Sequence, residues 1–240
     1  MVMEKNTNIL SSLSVLFEFP QNDWKQRALV AIDEMVLAFP QTENTVSPFR
    51  EWIEKAGMAE IEENFTKTFH IQAVCYLDLG YVIFGEDYKR GVFLANMKAE
   101  QEQYGIDLQN ELADHIGNVL KLLSVHQDED FVNQLGSFIL LPALKRMLKE
   151  FDDARLSARR KVLMKKDKTI IMENLNVSGI YKYLIESVKQ CVEELFDNIE
   201  VTQVEETFSN AASNHFINGC SSCNSVPGNI NTNLKNSQLC

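Results

Sequence analysis

In the stretch ELADHIGNVLKLL, residues 111–123, the carboxylates Glu111 and Asp114 and the imidazole of His115 stand directly ahead of an apolar stripe of Ile116, Val119, Leu120 and Leu123. A carboxylate beside an imidazole is the pairing that general acid–base catalysis and divalent-metal binding both use. Metal binding fits this spacing poorly: neighbouring side chains on a helix diverge by about 100°, and no HExxH or second nearby histidine completes a set. Catalysis lacks a nucleophile, since no Ser or Cys lies in a recognisable activating context. Two non-chemical roles remain. Acids in a first helical turn meet the partial positive charge of the helix N-terminus, and the same groups could instead wall a groove that holds a peptide.

A second candidate lies near the C-terminus, where Cys220 and Cys223 form a CxxC pair with His215 and Cys240 on either side. Thiolates at that spacing can converge on one tetrahedral zinc ion. The surrounding residues argue against it: from about residue 206 the chain turns to Asn and Ser with almost no charge, a composition that buries too little apolar surface to offset its ordering entropy. A flexible tail over 206–240 without a metal is the expectation, following a folded unit over 1–205. Five cysteines in all, odd in number and scattered, suit a reducing compartment better than a disulfide framework.

The elements that must position these groups are helical. In SGIYKYLIESVKQCVEELF, residues 178–196, the apolar residues recur at helical spacing behind a possible cap, Ser178. VSPFREWIEKAG offers Ser47 as cap, Pro48 at the first helical position and Gly57 as the stop. Pro20 and Pro40 separate the first helices. A long helix is expected from about Glu86 to Tyr104, ended by Gly105, and the apolar pattern from Asp128 to Leu148 contains Pro142, where a kink or break is expected because proline lacks an N–H and clashes with the preceding turn. Strand alternation is missing, and so are GxGxxG, GxxxxGK and GxSxG, which removes the usual support for dinucleotide, P-loop and hydrolase chemistry.

Composition narrows the partners. The net charge of -11 repels nucleic acid and anionic membranes on average and attracts basic peptides. No apolar run approaches the roughly 20 residues that span a bilayer, and the N-terminus spaces Ile9, Leu10, Leu13, Leu16 and Phe17 along one helical face, unlike a signal peptide. A cytoplasmic protein without stable membrane insertion is expected. One stretch departs from the acidic average: residues 145–168 carry ten cations against four acids, either a solvated helix face or a contact strip for an acidic partner. The aromatic residues Tyr76, Tyr81, Phe84, Tyr88, Phe93 and Tyr104 are expected mostly in the core, with one or two lining a groove.

The run from Tyr81 to Leu123 resembles the central signature of the nitrate-reductase delta-subunit (NarJ-type) family of assembly chaperones, within the TorD-like superfamily. Arg90-Gly91, Tyr104-Gly105 and Glu111-Leu112-Ala113-Asp114-His115 fall in the order of that signature and at comparable spacing. NFTKTFHIQAVCYLDLGY and FVNQLGSFILLPALKRML are similar to flanking segments of the family, so the likeness spans about residues 10–200. Ala113 and Gly117 stand where the family often has prolines, and His70 where an Asp is common. The resemblance implies an all-α, single-domain multi-helix bundle without catalytic activity or resident cofactor. It implies binding of the N-terminal segment of the catalytic subunit of a molybdenum/iron–sulfur oxidoreductase, which is kept competent for cofactor insertion before assembly or export, with the cofactor-insertion machinery as a further partner and a monomeric or homodimeric state.

On this reading Glu111, Asp114, His115, Tyr88, Tyr104 and Asn118 form the client-peptide site, an apolar trough with acidic lips to which either Glu86 or Asp87 adds, and His115 titrates near neutral pH. Arg90 braces the structure by pairing with an acid, and Gly91, Gly105 and Pro142 are structural. Two other readings stay open: a helical interaction module using the basic strip, and a metal-binding protein using the tail cysteines.

Overall fold

The computed structural model describes residues 2–71, 73–152, 155–157 and 178–196. Ten α-helices, and no strand, make up the regular structure among these residues. The tail candidates His215, Cys220, Cys223 and Cys240, the boundary at residue 206 and most of the basic strip beyond Ser157 lie outside them.

Helix α1 (Val2–Val15) ends before Pro20, and its face of Ile9, Leu10 and Leu13, continued by Leu16 and Phe17, is buried. The Trp24 indole N–H donates to the carbonyl of Val15 at 2.9 Å, joining the Glu18 N–H on that acceptor and tying the start of the next helix to the end of α1. Helix α2 (Trp24–Ala38) buries Trp24, Ala28, Ala31, Ile32 and Met35, one helical stripe. Pro40 opens a 3₁₀ turn, Pro40–Thr42, that runs straight into α3 (Glu43–Lys55). The expected start at Ser47 is thus corrected. The 3₁₀ turn has already set the helical backbone, so Pro48 sits inside the helix at the cost of one backbone hydrogen bond.

Helix α4 (Met58–Phe69) is followed by a non-helical strap over residues 73–78 and the short α5 (Leu79–Phe84). Helix α6 (Tyr88–Gln103) starts two residues later than expected because the Asp87 carboxylate accepts the N–H of Lys89 at 2.9 Å. It stops before Gly105, whose φ of +63° is the left-handed conformation that glycine adopts without a Cβ penalty. After a loop come α7 (Ile116–Val125) and α8 (Glu129–Leu135), the latter capped by the Asp128 carboxylate on the N–H groups of Asp130 and Phe131. A π turn over Gly136–Leu140 then joins α8 to α9 (Leu141–Glu150). This is the interruption expected at Pro142: the ring cannot donate to the carbonyl four residues back, and the wider turn relieves the clash. A 3₁₀ turn at Ser178–Ile180 leads into α10 (Tyr181–Phe196).

Buried apolar side chains from all ten helices join one continuous core. Helix α1 packs on α2 and α7, and α10 packs on α3 and α9. The aromatic centre is not the 76–104 group. It is Tyr181 of α10, with Phe49, Trp52, Phe65 and Phe69 around it at ring separations of 4.9 to 5.9 Å, and burial pushes the Tyr181 hydroxyl far above its ordinary pKa. Of the residues between 76 and 104 expected in the core, Phe93 is fully buried, whereas Tyr88 is 75% exposed and Tyr76 40%. None of these helices is long and apolar enough to cross a membrane.

Candidate functional site

The loop between α6 and α7 carries the sequence signature, and backbone pairing fixes where it lies. The N–H of Leu79 donates to the carbonyl of Asp114 at 2.8 Å, and the N–H of Ile116 to the carbonyl of Leu77 at 2.9 Å, so residues 78 and 115 form an antiparallel bridge between the strap and the loop. Gln101 reinforces the loop from α6, its side-chain amide donating to the carbonyl of Ala113 at 2.8 Å.

That bridge sets two carboxylates on one guanidinium. Arg90 donates through Nε to Asp114 Oδ2 at 3.3 Å and through Nη2 to Asp78 Oδ2 at 3.1 Å, while its guanidinium lies 5.2 Å from the centre of the Tyr81 ring. The expected brace is therefore present, and it uses both acids. Burial, followed by the Asp78 charge, raises the Asp114 pKa to about 6 against the pull of Arg90. Burial likewise raises Asp78 above its ordinary value despite the same guanidinium. The other oxygen of Asp114, Oδ1, has no hydrogen-bond partner among the described residues. Gly80 makes room for the cluster, since a Cβ there would sit 2.7 Å from Asp114 Oδ2 and 3.0 Å from the Phe93 ring.

His115 turns the other way. It is the N-cap of α7: its Nδ1 accepts the N–H of Gly117 at 3.2 Å, which requires a neutral ring with its proton on Nε2. Burial lowers its pKa to about 4, so the expected titration near neutral pH is corrected. The acids at 111 and 114 precede the helix rather than occupying its first turn; the helix-terminus role falls to His115 itself. Gly117 meets two demands that a proline there would not, supplying the N–H that the cap accepts and leaving space where a Cβ would approach Nδ1 to 3.2 Å.

Beside this cap lies a cleft of about 360 Å³ between the α1–α2 turn and the loop ahead of α7. Glu111, His115 and Asn118 line it, whereas Asp114, Tyr88 and Tyr104 do not. Asp114 is wholly buried and forms no lip. Tyr104 instead accepts the N–H of Gln127 and packs against His126 at 4.8 Å, bracing the far end of α7. An apolar trough with acidic lips is not what the cleft is. Gln21, Asn22, Gln109, Asn110 and Asn118 give it amide walls, and Glu18 is tied to Arg27 at 2.7 Å and Lys121 at 3.0 Å. Although burial opposes it, hydrogen bonds from those two cations hold the Glu18 pKa below its ordinary value. The Glu111 carboxylate has no ion-pair partner among the described residues, and Phe19, 38% exposed, supplies an apolar patch.

Both non-glycine residues with left-handed backbone among the described residues, Asn22 and Gln109, each at φ +53°, lie on this cleft. Glutamine seldom adopts that conformation, and the Asp107 carboxylate holds it there by accepting the Gln109 N–H at 2.9 Å. Such strain concentrates at working surfaces. No protein-family model matches the chain, and no curated protein does. What the cleft can do must therefore be read from its own groups. Its amides can donate to and accept from a peptide main chain, its one unpaired carboxylate can meet a cation, and its phenyl ring can take an apolar side chain.

Sequence reasoning missed Asp78, Gly80, Glu18 and Lys121. A glycine inside a short helix and an acid in a strap carry no local signal; the β-bridge and the packing of α1 on α7 bring them in. Among the described residues no three His, Cys, Asp or Glu side chains converge as a metal set.

Proposed function

We propose that this protein is a non-catalytic cytoplasmic chaperone of the nitrate-reductase delta-subunit type. It binds the N-terminal segment of a molybdenum-enzyme catalytic subunit and holds it for cofactor insertion. The observation that carries the reading is the cleft beside the α7 cap: three residues of the signature, Glu111, His115 and Asn118, line one polar recess whose walls offer amides. The rest of the signature supports that wall from behind. Arg90 clamps Asp114, Gly105 ends α6, and Tyr104 braces α7.

An extended client segment would place its main chain against the amides of Gln21, Asn22, Gln109 and Asn110, an apolar side chain on Phe19, and a basic side chain on Glu111. Main-chain pairing supplies affinity without strict sequence demands, while a rim charge acts chiefly on association rate and selectivity. Apart from Glu111, the ionisable groups near the cleft are engaged in structural roles: His115 caps a helix, Asp114 and Asp78 share Arg90, and Glu18 holds Arg27 and Lys121. That arrangement suits holding better than bond making.

The test is calorimetric titration of a synthetic peptide covering the N-terminus of the molybdoenzyme catalytic subunit from the same cell. Saturable binding to the wild type is expected, weakened about tenfold by Glu111→Lys, the equivalent of one lost charge contact of about 1.4 kcal/mol. Absence of binding, or equal affinity for the charge-reversed variant with its helical spectrum intact, overturns the assignment.

A further inference from the structure

A second recess, about 430 Å³, has a different chemistry. It lies between the strap with α5 on one side and the C-terminal half of α9 on the other. Its lining includes Tyr76, Tyr81, Arg146, Lys149, Glu150 and Arg155. Three cations against one acid is the reverse of the balance of a chain with net charge -11.

The cations are differently committed. Arg146 spends Nη1 on the carbonyls of Val82 at 3.1 Å and Ile83 at 2.7 Å, capping the C-terminal end of α5; among the described residues its remaining N–H groups have no acceptor. Arg155 is paired with Glu150. Lys149 has no carboxylate partner among the described residues. Tyr76, 40% exposed, packs edge-on against Tyr81 with centroids 4.6 Å apart, and the two rings form the apolar side of the recess. Beyond Ser157 the sequence continues the same charge with Arg159, Arg160, Lys161, Lys165, Lys166 and Lys168.

We infer that this recess is a docking site for an acidic protein segment, one that sets carboxylates on Lys149 and Arg155 and an aromatic or aliphatic side chain on Tyr76. This goes beyond the client-peptide reading, because a basic, apolar leader has the wrong charge here. Charge complementarity selects the partner. The acidic remainder of the chain repels a carboxylate-rich segment at long range, but screening confines that repulsion to about 8 Å at physiological salt, and inside that distance the cations of the recess dominate. Two cation contacts flanking an aromatic anchor are the arrangement by which a small interface concentrates its binding energy.

The probe is a short fluorescein-labelled peptide of Glu and Asp containing two Phe residues, followed by anisotropy with the full-length protein. Saturable binding that weakens as salt rises is expected. Lys149→Glu and Arg155→Glu should each lower affinity about tenfold, Tyr76→Ala by several-fold, and Glu111→Lys in the other cleft not at all. Far-UV circular dichroism confirms that each variant is folded. Lack of binding overturns the inference, as does equal binding of the same peptide with Gln and Asn in place of its acids, or unchanged affinity in both charge-reversed variants.

Discussion

Asp114 and His115 are adjacent in sequence, both buried, and perturbed by burial in opposite directions, so their effects on stability oppose each other over one pH window. Asp114 rises from 3.8 to about 6 on folding, so between those values the folded state holds a proton that the unfolded chain has lost, and stability falls as pH rises. His115 drops from 6.5 to about 4, so between those values the unfolded chain holds the extra proton, and stability grows as pH rises. At about 1.4 kcal/mol per unit each group is worth about 3 kcal/mol. In the wild type they largely cancel from pH 4 to 6.5. Removing one should expose the other. Asp114→Asn should gain about 3 kcal/mol of stability across that window. His115→Asn, which keeps a cap able to accept the Gly117 N–H, should lose about as much. Asp78, raised by burial, adds modestly to the Asp114 side. Urea unfolding at constant ionic strength, followed by the fluorescence of buried Trp24 and by circular dichroism, gives both profiles. Their difference cancels the groups common to the two variants. Profiles that run parallel from pH 4 to 6.5 would refute the account of this pair.

Two further substitutions probe the signature. Arg90→Met leaves the carboxylates of Asp78 and Asp114 without their shared cation, and urea titration at pH 7 should show a loss of about 3 kcal/mol, smaller at pH 5 where Asp114 is protonated. Gly91→Ala places a methyl group in open space inside α6, so the melting temperature should rise, reflecting up to about 1 kcal/mol; a fall would mean that the glycine serves packing after all.

Part of the site was legible in the chain. Arg90 was expected to brace through an acid and does, on both Asp78 and Asp114. Gly105 was expected to end a helix, and its left-handed backbone does so. Glu111, His115 and Asn118 were expected on one binding wall, and they line one cleft. Asp114 was misplaced for a physical reason. Its neighbour His115 is the cap, and a residue just outside a helix can point away from the groove as readily as into it.

By itself the sequence determined the helices, several of their stops and the proline-induced interruption, because periodicity, side-chain caps and the missing proline N–H act within a turn or two of chain. It also marked the basic stretch as foreign to an acidic protein. Only the tertiary structure decided that Asp78 and Asp114, separated from Arg90 by 12 and 24 residues, meet on it. The same holds for the amide walls of the cleft at the α7 cap, and for Tyr76 of the strap and Tyr81 of α5, which share a recess with the cations of α9. Contacts of that span exist once loop closure has been offset by the burial of a shared core, and no local pattern records which surfaces that burial brings together.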